Sequence, residues 1–398
     1  MPGGVLSEVV MSCFDPSRRE ALVAALGLPA ALVVAGAAGA APVPRVVSPS
    51  NSFEQKASRI MRSYQVGDQK GLDSLRSVEV AVPEPGPGEV RIAVKASALN
   101  HRDLMVMEGR YGGPKPPSRV PVADGAGEVV ALGAGVTRVK LGDRVTAPHF
   151  STWIDGDYDP SVFVADVGNM RDGWLQEQIV LPASALVKLP EQMSYEDAAA
   201  LGAAAITAWA VIEPFGRVKS GDVVLTLGTG GVAILALQIA KMSGAKVAIT
   251  SSSDAKLAAC RELGADITVN YRTTPAWHEA VLAATGGRGA DIVVETVGLG
   301  TLSQSIACCA PNARIGWLGG LEGPPPAGPN LGPLILKNAV LKGITSGSRK
   351  MLEDLLRAFD GNGVKPKIDR VFPFGQARAA LDYLATGGHI GKIVIRHG

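Results

Sequence analysis

The chain has 398 residues, of which 46% are hydrophobic and 19% charged, and its formal net charge is +2. This length accommodates two domains of ordinary size with a well-buried core. The near-neutral balance gives no electrostatic case for nucleic acid as a partner. No two cysteines form a C-x-x-C pair, which argues against a disulfide framework and a structural zinc lobe; they are Cys13, Cys260, Cys308 and Cys309.

Residues 1–60 differ in composition from the rest of the chain and are expected to form a leader and linker. Arg18 and Arg19 precede the uncharged apolar run 23–40, and together they resemble a twin-arginine export signal. In a second interpretation translation starts at Met61 and the leader is a mis-assigned extension. A membrane anchor is a weaker alternative because Pro29 and several glycines interrupt the run. We therefore expect a cytoplasmic protein starting at Met61 or a periplasmic one, with no membrane insertion of the body.

The remaining chain is predicted to form a two-domain α/β protein. Residues 61–187 contain short β-like runs broken by Gly and Pro. Residues 188–347 alternate strand and helix patterns, and their nearly all-apolar strands are typical of a parallel sheet covered on both faces. The tail, 348–398, holds helical stretches and the strand-like "GKIVIRH". We expect this tail to pack back on the first domain.

A glycine-rich turn predicts a dinucleotide site. The apolar strand 222–227 runs directly into Gly228, Thr229, Gly230, Gly231 and Val232, which open an amphipathic helix. Glycines at such a turn let backbone N–H groups approach a pyrophosphate, and the helix N-terminus favours its negative charge. The following strand stands at the expected distance, so the context supports a Rossmann domain.

The residues after the second strand favour NADP(H) over NAD(H). An NAD enzyme usually carries Asp or Glu there to accept a hydrogen bond from the ribose 2′-hydroxyl. This chain instead has Ser251 and Ser252, with Lys256 close by, and these groups suit a 2′-phosphate. Tyr271, after the third strand, offers a further hydroxyl. The alternative is that all of them are solvated loop residues.

The order of these segments resembles the medium-chain dehydrogenase/reductase superfamily over essentially all of 61–398. Within it the chain is similar to the zinc-independent alcohol dehydrogenase and quinone oxidoreductase-like branch. The matching stretches are "ALNHRDL", "VPVADGAGEVV", "GVTRVKLGDRV", "GTGGV", "TSSSDAKL", "GADITVNYR" and "HIGKIVI". The resemblance implies a GroES-like β-barrel domain (61–187 with 348–398), a Rossmann domain (188–347) and a homodimer formed through the Rossmann sheet.

The resemblance also implies that no zinc binds. In the zinc enzymes a Cys, a His and a second Cys hold the catalytic metal, with a Glu beside the His. The matching positions are Asn100, Ala123 and Ala203 for the ligands and Asp124 for the Glu. Neither Asn nor Ala replaces a thiolate or an imidazole at tetrahedral zinc.

Several residues take roles from the resemblance. Thr207 matches a threonine beside the nicotinamide ribose, and the backbone near Gly319 and Ser346 is expected to bind the carboxamide. Lys392 matches a residue near the cofactor, and the alternative is that it is simply a surface lysine.

Without a metal, another group must polarise the substrate or supply a proton. Asn100 and His101 lie at the rim of the vacated zinc position, and His101 is the candidate proton donor or relay because imidazole titrates near neutral pH. A hydrogen-bonded structural role for His101 is an equal alternative. Asp124 is expected to hold the pocket together more than to react.

An aromatic, turn-rich segment at 149–163 is a candidate wall or cover for an apolar substrate cleft. Its Trp153, Tyr158 and Phe163, with Trp174 further on, would supply the apolar surface. Surface packing without a functional role is the competing interpretation.

These observations predict an NADP(H)-dependent, zinc-independent oxidoreductase that interconverts an alcohol and a carbonyl by hydride transfer. The alternative within enzymes is reduction of the C=C bond of an enone or quinone. A nucleotide-binding protein without turnover is the alternative from another class.

Overall fold

The computed structural model describes residues 59–320 and 328–398, which belong to one compact unit. The predicted leader lies outside the described residues. Among the helices in these two ranges, none has the length and apolar character needed to cross a bilayer.

The first domain is built on antiparallel strands. β1 and β2 pair as a two-stranded sheet, and β3 is the centre of a seven-stranded sheet. Helix α1 (His101–Met107) follows β3 directly. The strands are β1 (Ile60–Gln65), β2 (Arg76–Ala81), β3 (Glu89–Ala98), β4 (Asp124–Leu132), β5 (Arg144–Thr146), β6 (Gln178–Pro182) and β7 (Val187–Lys188).

The second domain contains a six-stranded parallel sheet with helices on both faces. Its strands are β8 (Val223–Leu227), β9 (Lys246–Ser251), β10 (Ile267–Asn270), β11 (Ala290–Glu295), β12 (Cys309–Trp317) and β13 (Val340–Gly343). Its helices are α2 (Tyr195–Ala200), α3 (Ala203–Ala210), α4 (Gly231–Met242), α5 (Asp254–Glu262), α6 (Trp277–Ala284), α7 (Leu299–Ala307) and α8 (Gly332–Lys337).

The strand order of this sheet is β10-β9-β8-β11-β12-β13. In sequence order this is 3-2-1-4-5-6, the order of a dinucleotide-binding Rossmann domain. The predicted fold class is therefore confirmed. The order reverses between β8 and β11, and a ligand of such a sheet binds in the crevice at the carboxyl ends of these strands.

The apolar pattern of β8 explains how the sheet is covered on both faces. Val224 packs into one core cluster with α3 and α4, while Val223 and Leu225 pack into a second cluster on the opposite face. Successive side chains of a strand point to opposite faces, so an all-apolar strand contacts two helical layers.

The tail returns to the first domain. It contains α9 (Arg349–Gly361), β14 (Ile368–Pro373), α10 (Ala377–Ala385) and β15 (Lys392–Arg396). β15 pairs antiparallel with β3 and parallel with β14. This pairing brings the start of β15, at Lys392, beside the end of β3 and the start of α1.

Candidate active site

The glycine-rich loop lies at the carboxyl end of β8. Gly228 has φ +78°, a conformation that glycine adopts without strain. A Cβ added at Gly228 or at Gly230 would meet no heavy atom within 4 Å, so open space lies beside the backbone there. Val232 follows in the first turn of α4 and is half-buried. A half-buried glycine backbone with open space beside it, ahead of a helix N-terminus, fits the pyrophosphate of a dinucleotide.

The loop after β11 lies on the other side of the crevice between β8 and β11, where the strand order reverses. Thr296 Oγ1 donates to Leu227 O at 2.8 Å and so joins the ends of β8 and β11. A Cβ at Gly319 would lie 1.8 Å from Thr296 O, so this glycine permits a close approach of two loops. The Gly319 carbonyl already accepts a bond from the Trp317 indole N–H at 2.6 Å. The backbone N–H of Gly319 is therefore the group that we expect to donate a hydrogen bond to the carboxamide.

The residues predicted for the 2′-phosphate lie around the end of β9. Ser251 is buried, Ser252 is half-buried, and Tyr271 N–H donates to Ser251 O at 3.0 Å, with the Tyr271 side chain exposed. Lys256 Nζ donates to Gly387 O at 2.7 Å and to His389 O at 3.2 Å. The ammonium of Lys256 therefore fastens the loop before β15, and its role toward a phosphate stays a prediction.

A buried polar cluster forms where β3, β4 and β15 meet. Lys392 Nζ donates to Leu99 O at 2.7 Å and to Asn100 Oδ1 at 2.7 Å, and it lies 3.5 Å from Asp124 Oδ2. Asn100 Nδ2 donates to the same Asp124 oxygen at 2.7 Å. Lys392 is 1% exposed and Asp124 is 0% exposed, so the alternative of a surface lysine is excluded.

Asp124 connects this cluster to α3. Its Oδ1 accepts from the backbone N–H of Ala203, the first residue of α3, at 2.8 Å. A carboxylate at a helix N-terminus is stabilised by the unpaired N–H groups and the helix dipole. Gly202 makes the approach possible, since a Cβ there would lie 2.2 Å from Asp124 Cγ.

One turn along α3, Thr207 extends the site toward the cofactor crevice. Its Oγ1 donates to Ala203 O at 2.6 Å and lies 3.5 Å from Ser346 Oγ. Thr207 and Ser346 are both buried. The structure thus brings Thr207 and Ser346 together, and their roles at the nicotinamide, which the resemblance implies, stay a prediction.

The polar stretch at 100–103 is the start of α1. Asn100 is the N-cap, and its backbone N–H donates to Asp103 Oδ2 at 2.8 Å. Asp103 is buried, and that burial raises its pKa to about 6 even though the Arg102 guanidinium opposes the shift. Asn100 and Asp103 have the N-x-x-D spacing of a capping box, and this is the sequence signal that could have indicated the helix.

His101, the first residue of α1, is exposed. The protein covers part of its ring, and this desolvation together with nearby Arg110 lowers its pKa below the usual value of 6.5. A largely neutral imidazole with access to water can relay a proton between the site and solvent. This placement is compatible with the predicted relay and leaves its role a prediction.

The aromatic segment packs on itself beside α1. Phe150 and Phe163 meet edge to face with ring centroids 4.9 Å apart, and Trp153 and Tyr158 do so at 5.5 Å. Tyr158 is 41% exposed and offers apolar surface, whereas Trp174 is fully buried in the barrel core. The expectation that Trp174 lines a cleft is therefore wrong, because its indole fills the space beside Gly125, where a Cβ would lie 2.4 Å away.

An ion pair that sequence analysis missed holds this segment in place. Arg102 donates to both oxygens of Asp166, at 2.9 and 3.1 Å, and His149 Nδ1 lies 2.8 Å from Asp166 Oδ1. Asp166 is fully buried. Arg102 and Asp166 are 64 positions apart, so no local pattern in the sequence signals the pair.

The donor set does not fit a catalytic metal. The four positions that match the family's zinc site carry an amide, two methyl groups and one carboxylate, and a buried ammonium contacts the carboxylate. Across residues 59–320 and 328–398 there is no group of three or more His, Cys, Asp or Glu side chains able to hold a metal ion.

Comparisons with known proteins support the same family. An "Alcohol dehydrogenase GroES-like domain" model matches residues 86–191, and a "Zinc-binding dehydrogenase" model matches residues 231–361. The zinc-type alcohol dehydrogenase-like protein of Schizosaccharomyces pombe is 40% identical over 342 residues, covering 84% of this chain and 98% of the relative. The quinone oxidoreductase of Pseudomonas aeruginosa is 31% identical over 326 residues, covering 78% of this chain and 92% of the relative.

A solved structure described as an NAD-dependent alcohol dehydrogenase superposes with a TM-score of 0.76 at 34% identity, covering 85% of this chain and all of that one. The chain belongs to the medium-chain dehydrogenase/reductase superfamily. It is an oxidoreductase with a GroES-like domain and a Rossmann domain.

Proposed function

We propose that this oxidoreductase interconverts an alcohol and a carbonyl with NADP(H) and without a metal. The observation that carries the proposal is the Lys392–Asn100–Asp124 cluster, which stands at the family's zinc position next to the glycine-rich loop. When bound, the nicotinamide supplies or accepts hydride. Asn100 binds the substrate oxygen, and His101 relays a proton between the site and solvent.

The hydroxyl groups at the end of β9 support NADP(H). Ser251 stands where an NAD enzyme carries an acid, and the nearby acid Asp254 accepts a bond from Asn270 Nδ2 at 2.9 Å. Asp254 is therefore already hydrogen-bonded to Asn270.

Ser251→Asp tests this cofactor preference. The new carboxylate would repel a 2′-phosphate and accept from a 2′-hydroxyl, so we expect NADPH to bind about tenfold or more weakly and NADH more tightly. Fluorescence titration of both nucleotides measures this change, with Ser303→Asp on α7 as the control substitution. Tighter binding of NADH than of NADPH by the unsubstituted protein would overturn the NADP(H) proposal.

Reduction of the C=C bond of an enone or quinone is the second candidate. It is favoured by the relative named quinone oxidoreductase. NADPH oxidation with an α,β-unsaturated ketone separates the two reactions by product. An allylic alcohol supports carbonyl reduction, whereas a saturated ketone supports C=C reduction and overturns the first proposal.

We also infer a homodimer formed at the β13 edge of the Rossmann sheet. Large apolar side chains are exposed there on α8, on its N-cap residue and on β13: Leu331, Ile335, Leu336 and Val340 are 48%, 84%, 90% and 50% exposed. Contiguous exposed apolar surface beside a free sheet edge is typical of a subunit interface.

For localisation we propose a cytoplasmic protein translated from Met61, with twin-arginine export as the alternative. N-terminal sequencing of the native protein tests this: a mature chain that starts between the apolar run and Met61 would support export.

A further inference from the structure

Lys392 directs its ammonium group to partners inside the protein. A lysine ammonium has three N–H donors and no acceptor. In this structure Leu99 O and Asn100 Oδ1 accept at 2.7 Å, and Asp124 Oδ2 forms an ion pair with the ammonium at 3.5 Å. Because its side chain is 1% exposed, the ammonium is not open to a substrate, and we expect any effect on the reaction to pass through a neighbour.

That neighbour is Asn100, whose amide orientation is fixed by its partners. The amide oxygen faces the ammonium and the amide nitrogen faces Asp124. The flipped amide would set N–H groups against the ammonium and an oxygen against the carboxylate, so electrostatics excludes it. Asn100 Nδ2 has a second hydrogen, and the half-buried side chain lies at the rim of the site.

The stem of Lys392 also touches the cofactor loop. A Cβ added at Gly231 would lie 3.0 Å from Lys392 Cδ, and Gly391 N–H donates to Thr229 O at 3.1 Å. The lysine thus runs from the start of α4 to the end of β3. It joins the loop expected to hold the dinucleotide to the amide expected to meet the substrate.

We propose that Lys392 is a built-in cation that takes the electrostatic place of the family's metal and acts through Asn100 as a positioning residue. The ammonium polarises the Asn100 amide, and the second Nδ2 hydrogen donates to the substrate carbonyl oxygen. This inference rests on the proposed carbonyl reduction. With NADPH bound, a hydride would leave the reduced nicotinamide, which would become NADP+, and would form the new C–H bond of the substrate. The C=O π electrons would move to oxygen, where Asn100 stabilises the negative charge, and water reached past His101 would supply the proton and leave hydroxide.

Paired substitutions separate this role from a structural one. Lys392→Met leaves Asp124 without its cation, so we expect loss of both stability and turnover. Lys392→Met with Asp124→Asn removes both charges, and the new amide keeps one of the two acceptor oxygens. We expect the unfolding midpoint to recover in part and NADPH affinity to return, while kcat stays about a hundredfold low. Lys140→Met, an exposed lysine in the same domain, is the matched control.

A second comparison tests whether Lys392 acts through Asn100. Asn100→Ala is expected to lower kcat by a similar factor, and adding the Lys392→Met and Asp124→Asn pair to it should lower kcat little further. Recovery of kcat together with stability in the paired variant would overturn the inference, and so would additive losses of kcat.

The Asn100 side-chain amide signal in an NMR spectrum provides a readout that needs no turnover. The signal is identified by its absence in Asn100→Ala, and we expect it to move when both charges are removed. If the unsubstituted protein reduces no carbonyl, the proposed function fails while this signal still tests the polarisation. A signal that does not move overturns the built-in cation.

Discussion

At the scale of single residues, Asp166 is a buried charge whose partners decide its energetics. Burial alone would raise its pKa, but the Arg102 guanidinium and His149 outweigh burial and lower the pKa to about 2. Because this is below the unfolded value of 3.8, the carboxylate stabilises the fold above pH 4, and that contribution is lost as the pH falls toward 2.

Asp166→Asn is therefore expected to lower the free energy of unfolding by about 3 kcal/mol at pH 7, since it leaves Arg102 buried and unpaired. Urea unfolding at pH 7, 5, 4 and 3 should show a constant difference down to pH 5 that shrinks below pH 4. Asp73→Asn breaks an exposed pair with Arg378 and serves as the control, with an expected loss below about 1 kcal/mol. A difference that is independent of pH would contradict this account.

His101 tests the proton relay. Proton transfer by a positioned side chain contributes typically about a hundredfold, so His101→Phe should lower kcat at least tenfold at pH 7 and leave NADPH affinity unchanged. His278→Phe, on α6 and bonded to Gln304, is the control histidine. Unchanged turnover in His101→Phe would show that His101 has only a structural role as the first residue of α1.

The positions of Asn100, Ala123 and Ala203 could be predicted from the sequence because the stretches around them match the family. The contact between Lys392 and Asn100 could not, because 292 positions separate the two residues and only the pairing of β15 with β3 brings them together. The role of Gly202 was missed for the same reason, since a side chain there would clash with Asp124, which lies on a strand distant in sequence.

At the scale of elements, the strand–loop–helix unit of β8 and α4 distinguishes two adjacent glycines. Gly230 has φ −76° and open space at its Cβ position, whereas a Cβ added at Gly231 would lie 3.0 Å from Lys392 Cδ. The missing side chain at Gly230 therefore leaves space for a ligand, whereas the missing side chain at Gly231 leaves space for the Lys392 side chain.

Gly230→Ala should then weaken NADPH binding about tenfold while changing the free energy of unfolding by less than about 0.5 kcal/mol, because the methyl group meets only the space reserved for phosphate. Gly375→Ala also has open space at its Cβ position and is the control in the tail. Nucleotide titration and thermal unfolding measure the two effects. Unchanged affinity would show that the pyrophosphate lies elsewhere.

Elements of the Rossmann domain could be predicted from the sequence because their apolar periods are long and regular. The strand expected at 222–227 is Val223–Leu227, and the helix expected near 275–285 is Trp277–Ala284. The helix α1 was not predicted, because only seven residues form it and its polar first turn resembles a loop.

At the scale of the whole molecule, the return of the tail completes the candidate site. Lys392 reaches Asn100 only because β15 joins the sheet of the first domain. Gly231, which belongs to the Rossmann domain, lies beside the aliphatic part of the Lys392 side chain. The apolar periods predicted two domains, but pairing between distant strands is a tertiary property that no local pattern records.

The proposed dimer makes a prediction at this scale. Replacing Ile335 and Leu336 together by Asp places charge on the most exposed apolar surface and should convert a dimer to a monomer in light scattering after size exclusion. Leu141→Asp is the control, since Leu141 is 61% exposed on the first domain. A dimer that persists at micromolar concentration would exclude the β13 edge as the interface.

The central claim is hydride transfer assisted by an internal cation instead of a metal. Its most direct test is the kcat for NADPH-dependent carbonyl reduction before and after dialysis against a strong chelator, with bound metal measured in both samples. We expect unchanged kcat and less than about one-tenth of a metal ion per chain after dialysis. Stoichiometric zinc before dialysis, with turnover lost on its removal and restored by adding it back, would contradict the account.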